Sequence, residues 1–275
     1  MKVVVDFLDV VRSSPFSYQN AERYVESMLS TTLVVSLLYV VVIFSIKAFM
    51  TNRKPLQLRP ILIVWNGFLS IFSILGSYYT TKALYTDIQT HGFTGSYCKF
   101  GEFIPGQYGL WGFFFALSKL IEVGDTILLV LRKKPLIFLH WYHHMITMNF
   151  AMLAYTSRNG FAGWMCWMNF SVHAIMYTYV TFLSSNFSYY LISSCGYRVP
   201  TIISQCITSS QLLQFLTTLV QFIHIGLMGS SCDFELNTYL FGLAMTISYV
   251  FLFGHFFYKA YVHNGGRKFK KQKQT

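Results

Sequence analysis

Charge-free apolar stretches alternate with short clusters of charge along the whole chain. Met28–Ile46 and Ile61–Thr81 contain no charged residue, and Tyr108–Leu131 is apolar apart from a few charges at its centre. Leu136–Thr156, Phe161–Leu183, Thr201–Leu227 and Leu236–Tyr258 continue the pattern. An apolar helix of about 20 residues crosses the hydrocarbon core of a bilayer, so the pattern predicts seven transmembrane helices. The fifth and sixth are the least sharply separated, because no charge falls between them until Arg198. The expectation is an all-α, polytopic membrane protein with a single domain over residues 1–275. Residues 1–27 precede the first span, 28–258 hold the seven spans, and 259–275 form a basic tail.

Composition agrees with that reading. The chain is 54% hydrophobic and only 11% charged, unlike a soluble domain. Placement of the charges predicts orientation. Arg53, Lys54 and Arg59 follow the first span, Arg132, Lys133 and Lys134 the third, Arg198 the fifth, and Lys259, Arg267, Lys268, Lys270, Lys271 and Lys273 the seventh. Asp6, Asp9, Glu22, Glu26, Asp87, Glu102, Asp233 and Glu235 fall on the other side. The positive-inside rule then puts the C-terminus in the cytosol and the N-terminus outside or in a lumen. The net charge of +11 is thus mainly a topology signal, and nucleic acid is not an expected partner. The first 27 residues lack the basic-then-apolar order of a cleaved signal peptide, so the first span is expected to insert uncleaved. Lys271 and Lys273, five and three places from the end, resemble a dilysine retrieval signal of the endoplasmic reticulum; the alternative is a basic stop attracted to anionic lipid.

Polar residues inside the spans carry the candidate chemistry. His140, His143 and His144 stand at i, i+3 and i+4, so the imidazoles share one helix face. Histidine suits proton transfer, nucleophilic attack or metal ligation near neutral pH. Lys119, Glu122, Asp125 and Thr126 follow one another at helical contact spacing in the third span. Asn169, His173 and Tyr177 are spaced four apart in the fifth, and Thr208, Gln211 and Gln214 lie in the sixth. Singly, each is open to a bland reading: a Lys–Glu pair that pins packing, a hydrogen-bonded core histidine, interhelical glue. Jointly they agree in depth. At 1.5 Å per residue they fall in one layer roughly 8–20 Å from the cytosolic face, so four spans deliver polar groups to one chamber.

Four ordered sequence boxes then make a resemblance plain. KLIEVGDT at 119–126, HWYHH at 140–144, NFSVHAIMYTY at 169–179 and TSSQLLQ at 208–214 resemble the motifs of the ELO family of very-long-chain fatty acid elongases, or 3-oxoacyl-CoA synthases. Val180 departs from the aromatic that the family often carries after Tyr179. HWYHH is similar to the branch acting on saturated and monounsaturated acyl-CoA.

The resemblance implies decarboxylative condensation of acyl-CoA with malonyl-CoA in the endoplasmic reticulum membrane. It implies six helices in a barrel around a substrate tunnel and one helix outside. His140, His143, His144, His173 and Asn169 are the expected catalytic residues, with His143 or His140 as acyl acceptor or activator of the malonyl carbon. Glu122 and Asp125 are expected to orient imidazoles, balanced by Lys119. Thr126, Tyr177, Gln211 and Gln214 are expected at the substrate, and Arg132, Lys133 and Lys134 at the CoA phosphates. The acyl tail is expected in a closed apolar tunnel toward the lumenal ends of the spans. No cofactor and no metal are expected. The expected partners are the two substrates, membrane lipid, and the reductases and dehydratase of the elongation cycle; association between copies is left open. Two rival readings fit the boxes less well. A metal-dependent desaturase shares an HxxHH box but needs about eight histidines in several boxes, and adjacent residues 143 and 144 diverge by about 100° on a helix. A seven-span receptor or transporter would lack the four boxes.

Cys98 and Cys232 are expected to form a disulfide. Topology places both in lumenal loops, where an oxidising environment permits the bond. Cys166 and Cys206 are expected within the membrane and Cys195 on the cytosolic side, with Cys166 read as a small core residue.

Overall fold

The computed structural model describes residues 6–184 and 201–263. Among the described residues every regular element is helical: α1 (Phe7–Val11), α2 (Tyr18–Met50), α3 (Arg59–Cys98), α4 (Gly109–Glu122), α5 (Gly124–Leu131), α6 (Phe138–Thr156), α7 (Ala162–Ser184), α8 (Thr201–Met228) and α9 (Leu236–Phe257), with a 3₁₀ turn at Gly229–Ser231 and a π-helical turn at Tyr258–Val262. Four of these are long and apolar enough to cross a membrane: α2, α3, α8 and α9. The chain is therefore an all-helical, multi-pass membrane protein. Of the others, α6 and α7 carry the histidines and asparagines that a purely apolar span lacks, while α4 and α5 are short.

Two helices outrun the apolar stretches that predict them. At 1.5 Å per residue, the 33 residues of α2 extend about 50 Å and the 40 of α3 about 60 Å, against a hydrocarbon core of about 30 Å. α2 starts at Tyr18, ten residues before the apolar run, where the Ser17 hydroxyl accepts from Asn20 N at 3.4 Å. α3 runs on through Asp87 and His91 and bends at Gly92, whose φ of 73° suits only a residue without Cβ. The segment expected as one third span divides into α4 and α5 at Val123, whose φ of −61° and ψ of −21° stay in the right-handed helical region.

The packing order follows from the element contacts. α3 packs on α4 and α7, α4 on α6, α6 on α9, α9 on α8, and α8 on α7. α2 lies against α4, α5 and α6. Where α9 crosses α6 and α8, Gly242 permits the close approach: a Cβ there would stand 2.6 Å from Phe222 Cζ and 2.8 Å from Phe150 Cζ.

One end of the bundle is tied together by polar links. Cys98 and Cys232 are disulfide-bonded across 134 residues of sequence. Beside the bond, Asp233 N donates to Cys98 O at 2.7 Å and Phe100 N donates to the Asp233 carboxylate at 3.0 Å. Glu235 N donates to Asn159 Oδ1 at 2.8 Å, joining the α6–α7 turn to the same cluster. Arg158 forks onto Glu22 with two bonds of 2.9 Å, which fastens that turn to α2. Arg132, Lys133 and Lys134 mark the opposite, basic end. Of the remaining cysteines, Cys206 is exposed on the surface of α8 and Cys166 is buried. Cys195, Arg198, Lys271 and Lys273 lie outside the described residues.

Candidate active site

A narrow cavity lies between α4, α6, α7, α8 and α9. Its lining on α6 is a single stripe, His143, Thr147, Phe150, Ala151, Ala154 and Tyr155, which repeats at three and four residues. Twelve residues separate His143 from Tyr155, so the stripe is about 18 Å long. His143, Asn169, Gln214 and Tyr249 line its polar end, and Ile104, Tyr155 and Ala162 line its end near the disulfide. Between them the wall is mostly alanine, phenylalanine and methionine. Two buried hydroxyls in that wall, Tyr155 Oη and Thr246 Oγ1, have no hydrogen-bond partner among the described residues.

Beside the polar end, α4 and α7 build a buried charged cluster. Lys119 is 4% exposed and Glu122 5%, so neither is solvated by bulk water. Lys119 Nζ donates to Glu122 Oε1 at 2.6 Å and to Asn169 Oδ1 at 2.8 Å. Ser118 Oγ donates to the same Glu122 oxygen at 3.0 Å. The other carboxylate oxygen faces His173 Nδ1 at 3.7 Å. Burying two charges costs several kcal/mol each, and only close geometry with additional hydrogen bonds offsets that cost. These contacts supply both. They also turn the second Glu122 oxygen toward one ring nitrogen of His173, within ion-pair range but beyond hydrogen-bond distance.

The histidine trio separates by role. Only His143 lines the cavity. Its ring lies 4.8 Å from Tyr249, 5.9 Å from Phe253 and 6.1 Å from Phe215, centroid to centroid. His140 and His144 are 4.7 Å apart and His143 and His144 5.6 Å. His140 Nε2 is buried without a partner among the described residues. No group of three or more His, Cys, Asp or Glu among the described residues is placed to hold a metal.

Other candidates stand elsewhere. Asp125 does not reach an imidazole: Trp65 Nε1 donates to one of its oxygens and Tyr177 Oη to the other, both at 2.6 Å. That corrects the expectation that it polarises histidine. Val123 follows Glu122, and Asp125 on the far side of it joins α5 to α3 and α7. Thr126 is fully buried and shares a 2.8 Å hydrogen bond with Tyr39 of α2, so it faces away from the cavity. Tyr177 is committed to Asp125 and does not line the cavity. Gln214 lines the cavity, but Gln211 Nε2 sits 3.5 Å from Met176 Sδ. Lys133 is taken up structurally, donating to Thr51 O at 2.9 Å and Arg53 O at 3.0 Å. Lys134 is exposed and Arg132 half-buried beside it. Cys166, buried as expected, also lines the cavity wall.

Several residues of the site carry no sequence signal of their own. Thr147 lies four residues after His143, and helical spacing alone could have found it. Tyr249, Trp65 and Tyr39 come from distant segments and meet the site only through packing.

Comparison with known proteins gives a consistent picture. The ELO: GNS1/SUR4 family model matches residues 24–269. Long chain fatty acid elongase 1 of Caenorhabditis elegans is 39% identical over 267 residues, 95% of this chain and 89% of the relative. Very long chain fatty acid elongase 6 of Drosophila melanogaster is 38% identical over 242 residues, covering 85% and 73%. Very long chain fatty acid elongase 3 of Mus musculus is 31% identical over 263 residues, covering 94% and 93%.

Proposed function

The chain belongs to the ELO (GNS1/SUR4) family, and from that premise we propose that it is a very-long-chain 3-oxoacyl-CoA synthase. In the proposed reaction, malonyl-CoA loses carbon dioxide to give an enolate, whose carbon attacks the acyl thioester. The CoA thiolate leaves and takes up one proton. The products are a 3-oxoacyl-CoA two carbons longer, carbon dioxide and CoA. The observation that carries this reading is the cavity itself. It presents an imidazole, an asparagine and a glutamine at one end, and an apolar wall for about 18 Å beyond them.

Each end has a role. His143 is the group that reaches the reacting carbons, as acyl acceptor or base. His173, which faces Glu122 at 3.7 Å and stands behind the cavity lining, is a second acid or base, and Asn169 and Gln214 in the lining are donors for thioester or enolate oxygens. Lys119 keeps the Glu122 charge in place. The acyl tail runs along the α6 stripe toward Tyr155 and Ile104. Arg132 and Lys134 receive the CoA phosphates, whereas Lys133 holds the loop. Condensation of this kind needs no redox cofactor.

The wider architecture fits the same reading. The contact order α3–α4–α6–α9–α8–α7 returns to α3, which supports a barrel of six spans with α2 outside it; α4 and α5 together count as one span, giving seven. The N-terminus is lumenal and the C-terminus cytosolic, by the positive-inside distribution. The enzyme resides in the endoplasmic reticulum membrane and acts with the reductases and dehydratase of the elongation cycle. Purified protein given an acyl-CoA panel and radiolabelled malonyl-CoA tests the proposal. Label should enter 3-oxoacyl-CoA without added metal. Failure of every acyl-CoA to accept label in folded protein refutes it.

A further inference from the structure

Three groups around His143 form a closed set of contacts that determines where the imidazole keeps its proton. Thr147 Oγ1 lies 3.5 Å from His143 Nδ1 and 2.8 Å from Tyr249 Oη. Tyr249 Oη in turn lies 3.2 Å from the carbonyl oxygen of His143. The tyrosine and threonine hydroxyls have one proton each, and a carbonyl only accepts. If Tyr249 donates to the carbonyl, its oxygen accepts from Thr147, and Thr147 accepts from the Nδ1–H of His143. Every contact then holds one proton. In the reverse direction Tyr249 donates to Thr147 and Thr147 to a bare Nδ1, and the 3.2 Å oxygen–oxygen contact has no proton in it. The first arrangement places a proton in all three contacts, the reverse in only two.

We propose that Thr147 and Tyr249 are positioning residues that hold His143 with its proton on Nδ1, leaving the lone pair of Nε2 free for the substrate. Packing suits the task. Tyr249 is 1% exposed and wedged against Phe215, whose ring centroid is 5.1 Å away, so its hydroxyl cannot swing aside. Thr147 lies one turn after His143 on the same face of α6 and lines the same cavity. Neither residue falls in the four sequence boxes that mark the family. The assignment rests on the reading that His143 is the reacting imidazole.

The test uses four full-length variants: Thr147→Val, Thr147→Ser, Tyr249→Phe and His143→Ala. Turnover and KM for palmitoyl-CoA and malonyl-CoA are measured on purified protein. Removing an outer hydrogen-bond partner of a working imidazole by Thr147→Val or Tyr249→Phe should lower kcat by about 10–100-fold. Both KM values should stay within about twofold, because the near-isosteric replacements keep the shape of the cavity wall. Thr147→Ser keeps the hydroxyl and should recover kcat to within about threefold of the parent. His143→Ala should have no activity. Parental kcat in Thr147→Val and Tyr249→Phe, beside an inactive His143→Ala, overturns the relay and leaves the His143 reading standing. An active His143→Ala overturns that reading itself. Thr147→Ser as slow as Thr147→Val assigns the loss to packing and also overturns the relay. Should Thr147→Val fail to fold, Tyr249→Phe and Thr147→Ser decide by the same criteria.

Discussion

Replacing Ala151 by phenylalanine should convert the protein into one that accepts only short acyl chains. Ala151 is 6% exposed, lines the cavity and stands eight residues beyond His143 on α6. That is about 12 Å along the helix. A saturated chain with C–C bonds near 1.52 Å and angles near 111° advances about 1.25 Å per carbon. A ring at position 151 therefore leaves room for about ten carbons, whereas the parental wall runs about 18 Å to Tyr155, or about fourteen, so that only the last two carbons of a palmitoyl chain pass beyond it. Palmitoyl-CoA must then displace the ring or enter bent. Overpacking of this kind costs about 1–3 kcal/mol, so kcat/KM for palmitoyl-CoA should fall about 5- to 150-fold. Decanoyl-CoA should keep most of its parental rate. Ala154→Phe, eleven residues from His143, should spare lauroyl-CoA and hinder palmitoyl-CoA. The assay is product length by mass spectrometry over a saturated panel from C8 to C20, on variants with parental elution and melting behaviour. Parental chain-length profiles in both well-folded variants would refute the placement of the acyl tail along α6.

Lys119→Met should lower stability by about 3–5 kcal/mol, read as a lower melting midpoint in detergent, because it leaves the Glu122 carboxylate buried without its cation. Adding Glu122→Gln should restore much of that stability but not turnover. Cys98→Ser with Cys232→Ser should cost about 2–4 kcal/mol through the long loop released, checked by the same melts without reductant. Neutralising Arg132 and Lys134 together should raise KM for acyl-CoA more than it lowers kcat, and an unchanged KM at low salt leaves them only a topological role. The hydroxyl and backbone N–H of Thr238, with the N–H of Asn237, hold the Glu235 carboxyl below its ordinary 4.5. Its capping contribution, about 1 kcal/mol, is present above that value and lost as pH falls through the lower folded-state value. Glu235→Gln should therefore melt lower than the parent at neutral pH, with the gap closing in acid.

The chain's linear pattern carried much of this protein on its face, and the reason is the solvent. A bilayer leaves the backbone no partner but itself, so a run such as Met28–Ile46 or Leu236–Tyr258 has helix as its solution. Histidines three and four apart on a helix share a face wherever that helix packs, which made His140, His143 and His144 legible as a group. The disulfide between Cys98 and Cys232 was legible for a similar reason, since topology alone restricts which cysteines meet. Hydropathy could not divide labour among like residues. Glu122 and Asp125 are three apart, yet one faces His173 and the other is consumed by Trp65 and Tyr177. Of three neighbouring histidines, only His143 meets the cavity. Those distinctions depend on which distant side chains arrive at 3 Å, Tyr249 from more than a hundred residues away among them. Periodicity determines the face a residue occupies; only the packing of the other helices decides what that face meets.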